Sequence, residues 1–415
     1  MKILKRALLV TFDFTQRGKS GTGFAAGSLL SACRNHKEYR RKFIIAHLAV
    51  PMSISAKEQL TVVEIVNEID KKVPLANLDR LALACYVWNS QLVEPVIAQC
   101  RKNGFKGKVI LGGYQINRKS CHQLYPSGDF YIPGYGEASL PEAILDEYSI
   151  SSRIIESTID FETLPSPYLD GTISIEQEHE MLHWETRRGC MFKCNFCAHR
   201  DLKDKGVHLL GMNKVKQELD LFKLKKVKKI NVLDPIFNNE PNHIEILKYA
   251  IKINLKAMLA LQVRFERVNE EFLELCSQLN VHLEFGLQTA NVNESRIIDR
   301  GNNMNRVGKS IELIQKWNQP FEVSIIYGLP SQTVSSFRDS IDYLQRRGVD
   351  IIKAFPLMLL EGTKLAEDKE KYLIVEGVID EGGIPHVIES FSFTRHEWQV
   401  MHNLANNLML KEGVA

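Results

Sequence analysis

Glu185-Thr-Arg-Arg-Gly-Cys190-Met-Phe-Lys-Cys194-Asn-Phe-Cys197-Ala-His-Arg200 is the stretch around which the chain is organised. Its C-x3-C-x2-C spacing brings three thiols onto one short loop. Thiolates are the usual ligands of iron–sulfur clusters and of zinc. A cubane cluster has four irons, so three cysteines leave one iron open to a small-molecule ligand. Pure electron carriers normally hold all four irons by cysteine. A three-cysteine loop therefore suits a cluster that does chemistry. As a zinc site the loop would need a fourth ligand, and His199 is the nearest candidate.

With the aromatic Phe196 just before the last cysteine, the loop resembles the signature of the radical S-adenosylmethionine (radical SAM) superfamily. The resemblance implies that Cys190, Cys194 and Cys197 hold a [4Fe–4S] cluster whose open iron binds the amino and carboxylate groups of SAM. It implies that an electron from the cluster cleaves SAM to methionine and a 5′-deoxyadenosyl radical, which takes a hydrogen atom from substrate. It places Phe196 near the adenine. It also implies a flavodoxin- or ferredoxin-type reductant and a small-molecule or peptide substrate.

The 415 residues allow two domains. Hydrophobic content of 44% and charged content of 25% are ordinary for a globular protein. A net charge of +3 gives no indication of a nucleic-acid or anionic-membrane partner. The basic run at residues 223–229 reads as the solvated end of a helix. Of the eight cysteines, the five outside the loop show no second paired spacing, so a disulfide framework is not expected. The N-terminus is basic and then apolar, but Asp13 interrupts it before an export signal or membrane span could form. It reads as a buried first strand. An oxygen-sensitive cluster argues for a reducing compartment, and a cytoplasmic location is expected.

Across residues 1–150, apolar runs at 7–12, 43–50, 80–88, 109–113 and 129–132 alternate with amphipathic stretches. The small-residue loop at 18–23 opens the first helix. Strands separated by helices predict an α/β fold with a doubly wound parallel sheet, whose ligands sit at the carboxyl ends of the strands. This pattern is similar to the cobalamin (B12)-binding domain that precedes the barrel in many radical SAM enzymes. Gly112 and Gly113 after the fourth strand, and Gly134 and Gly136-Glu137 after the fifth, carry the likeness. One departure is large. The family's Asp-x-His-x-x-Gly loop is here Asp13-Phe-Thr-Gln-Arg-Gly-Lys, with no histidine to ligate cobalt. Either cobalamin binds without that ligand, or the domain has lost the cofactor and only shapes the substrate cavity.

Residues 151–180, with Pro165-Ser-Pro and Asp170-Gly, read as a linker. Residues 181–365 then give six strand-and-helix units, with strands at 183–188, 229–234, 257–265, 281–288, 322–327 and 351–355. This predicts a partial (β/α)6 radical SAM barrel, with its chemistry at the strands' carboxyl ends. Residues 366–415 form a small C-terminal helical segment, expected to close the barrel's open side or contact substrate. The resemblance implies roles at several strand ends. Asp234 would hold the SAM amino group, and Arg264 or Arg267 its carboxylate. Gln288 and Thr289, in a segment similar to the family's Gly-x-Gln-Ser, would face SAM. Residues 325–330 would pack on adenine, and Gly362-Thr363 would turn the chain after strand six.

The leading reading is a radical SAM enzyme of natural-product biosynthesis that activates a C–H bond, with cobalamin as methyl donor for C-methylation. The alternative is a cobalamin-independent epimerase, cyclase or rearrangement enzyme acting on a peptide or another precursor. Its hydrogen-atom donor would be Cys276, the single non-cluster cysteine of the barrel part, or Tyr327. A buried core thiol is the competing role for Cys276. From another class, a metal-binding or electron-transfer protein would use His199 as fourth ligand.

Overall fold

The computed structural model describes residues 4–14, 22–52, 59–147, 153–200, 206–239, 241–379 and 384–411. Most of the small-residue loop at 18–23, and the loop after Asp13 beyond Phe14, lie outside the described residues. The chain forms two compact units. One comprises Met1–Ile175 with Ile379–Ile384, the other Glu176–Val378 with Pro385–Ala415.

The first unit runs β1 (Lys5–Phe14), α1 (Phe24–Asn35), β2 (Phe43–Met52), α2 (Val62–Lys72), β3 (Arg80–Ala84), α3 (Ser90–Lys102), β4 (Lys108–Gly112), α4 (Cys121–Leu124), β5 (Phe130–Ile132), α5 (Ser139–Leu145) and β6 (Arg153–Ile154). The strands form one parallel sheet in the order β2-β1-β3-β4-β5-β6. Its central strands are apolar on both faces, as a sheet covered on both sides requires. Leu8, Val10 and Phe12 pack with Ile65, Val66 and Val96 of α2 and α3. Ala7 and Leu9 pack on the other face with Ala26, Leu30 and Ile144 of α1 and α5. The sheet is therefore doubly wound, and the strand order reverses between β1 and β3.

The expected linker at 151–180 is corrected by the structure. β6 extends the sheet by pairing with β5. Ile155, Phe161, Leu164, Tyr168 and Ile173 are all buried, and the Tyr168 ring stacks on Phe24 at 5.9 Å. Ser31 Oγ donates to Asp170 Oδ2 at 2.6 Å. Spaced apolar residues let this turn-rich stretch pack along α1, so the first unit extends to Ile175.

The second unit runs β7 (Met181–Trp184), β8 (Arg187–Arg188), β9 (His208–Leu209), α6 (Met212–Leu224), β10 (Lys229–Val232), α7 (His243–Lys252), β11 (Met258–Val263), α8 (Glu270–Ser277), β12 (Val281–Gln288), α9 (Val292–Ile297), α10 (Met304–Lys316), β13 (Phe321–Tyr327), α11 (Val334–Gln345), β14 (Ile352–Pro356), α12 (Lys364–Glu367), β15 (Val375–Val378), β16 (Pro385–Glu389) and α13 (Arg395–Lys411). Six strands make a parallel sheet in the order β14-β13-β12-β11-β10-β7. β12 alternates buried and half-exposed residues along its whole length. One face is thus covered by helices and the other is open, as in a partial barrel. The tail differs from expectation. β15 and β16 pair as a hairpin, and α13 packs beside α11 and against β14. It continues the helical layer at the last strand. Among the described residues, no helix is long and apolar enough to cross a membrane.

The two glycines after β4 differ in what they require. Gly113 has φ +110°, and an added Cβ would lie 2.5 Å from the Cys85 carbonyl oxygen. A Cβ on Gly112 would meet nothing nearer than 3.6 Å. Gly113→Ala is expected to destabilise the first unit by at least about 1–2 kcal/mol from the left-handed backbone alone. Gly112→Ala should change it by less than about 1 kcal/mol. Chemical denaturation followed by circular dichroism checks this, and equal losses would contradict it.

Candidate active site

The cysteine loop is placed by what precedes it. Trp184 ends β7 fully buried, with Nε1 donating to Glu218 Oε2 at 2.8 Å and the ring edge-on to Phe222. Two residues on, Thr186 donates to Asp234 through its backbone N–H at 2.7 Å and its hydroxyl at 2.5 Å. The Arg187 N–H adds a third hydrogen bond at 3.2 Å, and Arg187 Nε lies 3.8 Å from the carboxylate. The Arg187 guanidinium then donates to the carbonyls of Phe237, Asn239 and Pro241. Asp234 is 0% exposed and both its oxygens are used inside the protein. Its expected role as holder of the SAM amino group is therefore corrected. It fastens the end of β7 to the end of β10. Burial pushes its carboxyl up to about 6, against the opposing pull of Thr186 and Arg187.

Within the loop, Cys194 is buried, while Cys190, Cys197 and Phe196 are half-buried. Asn195 holds the loop in register. Its N–H donates to Ile298 O at 2.8 Å, its side chain donates to Ile297 O at 2.6 Å, and its carbonyl accepts from Leu365 N at 3.0 Å. Burial raises the Cys190 thiol and pushes Cys197 up to about 11, and the neighbouring loop thiols add to both. Among the described residues, no three or more His, Cys, Asp or Glu side chains converge on a position for one metal ion. His199 is half-buried, and burial lowers its pKa.

Two guanidiniums flank the loop. Arg264, buried at the end of β11, lies 3.9 Å over the Phe192 ring and donates from Nε to Glu266 at 3.2 Å. Burial would raise the Glu266 carboxyl, but Arg264 holds it below the usual range. Arg300 Nη1 donates to Cys194 Sγ at 3.7 Å, and Nη2 donates to the Gly286 carbonyl. Arg300 escaped the sequence reading because it stands 106 residues from Cys194, in a loop with no motif of its own. Arg267 is exposed, with Nη2 3.9 Å from Met191 Sδ.

At the end of β12 the register shifts between Gly286 and Gln288. Gln288 has φ +73° and is half-buried on the open face. Thr289 is 1% exposed, and its hydroxyl donates to Glu294 Oε2 at 2.5 Å while accepting from Asn291 N–H. The hydroxyl of Thr289 is thus committed to the fold, which corrects its expected place facing SAM. A cavity of about 360 Å³ opens at this strand end, with Asn291, Ser295, Arg300, Asn302 and Met304 in its wall. The Thr289 residue belongs to the same wall, with its hydroxyl turned to Glu294.

Both expected hydrogen-atom donors are corrected. Cys276 is 0% exposed inside α8, and its apolar surroundings raise its thiol pKa. Tyr327 shares the buried face of β13 with Val323 and Ile325. Its ring packs near Phe337 of α11 and Trp398 of α13, and its hydroxyl hydrogen-bonds His402 Nδ1 at 2.8 Å. Cys276 thus lies within the helical layer, and the Tyr327 side chain faces that layer from β13.

In the first unit the glycines serve packing. Gly113 is explained above, and a Cβ on Gly136 would lie 2.8 Å from Leu29 Cδ2. Around the β1/β3 reversal, the carboxyl edge of the sheet is aromatic. Tyr86 stacks on Trp88 at 4.5 Å, with Phe14 and Tyr114 beside them and partly exposed. Asp13 shares the Thr11 hydroxyl with His47. Burial raises the Asp13 carboxyl and lowers His47 to about 4.

Asp234→Ala leaves Arg187 buried without its counter-charge and frees the N–H groups of Thr186 and Arg187. The expected loss is about 3–5 kcal/mol from the second unit, read by chemical denaturation. A loss below 1 kcal/mol would show that the β7 end does not depend on this carboxylate.

The model of the Radical SAM superfamily matches residues 184–344. The 2-(S-pantetheinyl)-carbapenam-3-carboxylate methyltransferase of Streptantibioticus cattleyicolor is 24% identical over 308 residues, covering 65% of this chain and 45% of its own length. The cobalamin-dependent radical SAM methyltransferase TokK of Streptomyces tokunonensis is 23% identical over 310 residues, with the same coverages. The chain thus spans less than half the length of these curated relatives. Among solved structures, TsrM of Kitasatospora setae, with tryptophan substrate and a SAM analog bound, superimposes with a TM-score of 0.68 at 13% identity. It covers 91% of this chain and 79% of TsrM. OxsB with aqua-cobalamin and SAM bound gives a TM-score of 0.66 at 14% identity, covering 96% of this chain and 66% of OxsB. The three-cysteine loop after the first strand of the six-stranded parallel sheet thus lies inside the segment that the Radical SAM superfamily model matches, and the fold is similar to those of TsrM and OxsB.

Proposed function

We propose that the protein is a cobalamin-dependent radical SAM enzyme that methylates an unreactive carbon of a small molecule in natural-product biosynthesis. The observation that carries this reading is the Cys190-Cys194-Cys197 loop at the carboxyl end of β7, flanked by two guanidiniums. The donor set suits a cluster held by three thiolates, and Cys190, Cys194 and Cys197 would hold it. When bound, the cluster supplies the electron that cleaves SAM reductively. Arg264 and Arg300 present guanidinium groups at the loop, which match a carboxylate in charge and shape. Gln288 offers an amide on the open face beside them. Phe196, half-buried on the loop, offers an aromatic surface for the adenine.

For cobalamin, the aromatic edge at the strand reversal of the first unit suits a flat macrocycle, since ligands of such sheets sit at that crevice. The cofactor would supply the methyl group. The sequence after Asp13 offers it no histidine. A cytoplasmic location and a flavodoxin- or ferredoxin-type donor complete the proposal, since the cluster must be reduced at low potential.

The test is mass spectrometry of SAM-derived products after anaerobic reconstitution with iron and sulfide, then SAM, reductant and cobalamin. 5′-Deoxyadenosine together with cobalamin-dependent S-adenosylhomocysteine is the expected result. 5′-Deoxyadenosine alone would turn the reading to a rearrangement. Changing all three loop cysteines to Ala should abolish the visible absorption and both products. Tyr327→Phe should cost about 1 kcal/mol of stability through its lost hydrogen bond and leave the 5′-deoxyadenosine yield unchanged. A collapse of that yield in a folded, cluster-loaded variant would return Tyr327 to the chemistry.

A further inference from the structure

We propose that Arg300 donates a hydrogen bond to the Cys194 sulfur of the assembled cluster and raises the cluster's reduction potential. This rests on the cluster reading above and adds to it a residue that sets the driving force for the first electron.

The guanidinium is fixed from several sides. Its Nη2 donates to the Gly286 carbonyl on β12, and its Nη1 points to Cys194 Sγ at 3.7 Å. Nε is buried without a hydrogen-bond partner among the described residues. The backbone is held as firmly. Arg300 N–H donates to Ser295 O at 2.9 Å, and the Arg300 carbonyl accepts from the Ser295 hydroxyl and from Asn302 N–H. Gly286 makes room for the arrangement. A Cβ there would lie 3.4 Å from Nη2 and 2.6 Å from the Gln288 amide. The strand thus carries a glycine where the guanidinium and the amide cross it.

Among the described residues, Arg300 has no carboxylate at ion-pair distance. By contrast, Lys216 pairs with Glu245 and Lys248 with Glu271 on the surface. A half-buried cation that hydrogen-bonds a cluster thiolate acts on the cluster's charge. Adding an electron makes the cluster more negative. A fixed positive charge nearby favours that state, and an N–H donor on the sulfur withdraws density from it. The enclosed setting makes both effects larger than they would be in water.

The competing role for Arg300 is to hold the carboxylate of SAM, and the two differ in what happens without SAM. The full-length protein, reconstituted anaerobically with iron and sulfide, is titrated redox-potentiometrically by electron paramagnetic resonance, first without SAM and then with it. For Arg300→Met and Arg300→Gln, the SAM-free midpoint potential is expected to fall by the equivalent of about tenfold in the one-electron equilibrium, about 59 mV. Arg300→Lys, which keeps the charge, should fall less. Iron and sulfide per chain are measured on each variant. If Arg300→Met does not hold a cluster, Arg300→Gln carries the comparison. An unchanged SAM-free potential in a neutral variant with full cluster content would overturn the proposal, and a weakened SAM affinity alone would assign Arg300 to the SAM carboxylate. A wild-type protein that takes up no iron would overturn the cluster reading itself and this proposal with it.

Discussion

The buried contact between Asp234 and the Thr186-Arg187 dipeptide is the constraint on which the second unit's site depends. β7 is an edge strand of four residues that pairs with β10 alone. Four residues of ladder do not fix where the next ten go. The carboxylate at the end of β10 supplies what the ladder lacks, by taking two successive N–H groups and a hydroxyl from the chain leaving β7. Arg187 then satisfies three carbonyls in the turn after β10. Buried polar groups must find partners, and here each partner lies on the other strand's exit. A buried ion pair is weak support for stability, because desolvation offsets much of the attraction. What this one contributes is position. The cysteine loop begins two residues after Arg187, and it begins where Asp234 holds it.

Much of the architecture was legible because it depends on patterns a sequence displays. Strand-length apolar runs separated by amphipathic stretches predict parallel sheets, and both six-stranded sheets follow. The cysteine spacing is local, so the loop at the end of the first barrel strand could be read without the fold. What was harder to read turns on the direction of single side chains. Asp234 ends a strand as an acid near a SAM site would, but it points into the protein. Thr289 follows Gln288, so the period of two along β12 leaves Gln288 on the open face and turns Thr289 to Glu294. Tyr327 was readable in principle. It has the parity of Val323 and Ile325, so a period of two puts it on the helix side.

The linker at 151–180 and the missed Arg300 share another cause, which is distance along the chain. Proline and glycine marked a connector locally, while the apolar residues between them found their partners on α1, more than a hundred residues earlier. The glycines of the first unit show the reverse case. Gly113 and Gly136 look like a ligand cradle, yet the structure explains both by their own neighbours, Cys85 and Leu29. The carboxyl edge of that sheet instead gathers aromatics from the ends of β1, β3 and β4, which no glycine motif announced.

Charge links the loop to its flanking residues. Burial raises the thiols at Cys190 and Cys197, and the loop stands beside two guanidiniums. Iron binding requires thiolates, so it must release protons. The site then gains negative charge in a setting already cationic on both sides. Arg264 is partly balanced by Glu266, and its face rests on Phe192, so its charge is largely spent within the protein. Among the described residues, the Arg300 guanidinium hydrogen-bonds a carbonyl and the Cys194 sulfur and has no carboxylate at ion-pair distance. Of the two cations, it is the one whose balance is left to the cluster, and on electrostatic grounds the loop is built to be complete only when that anion is present.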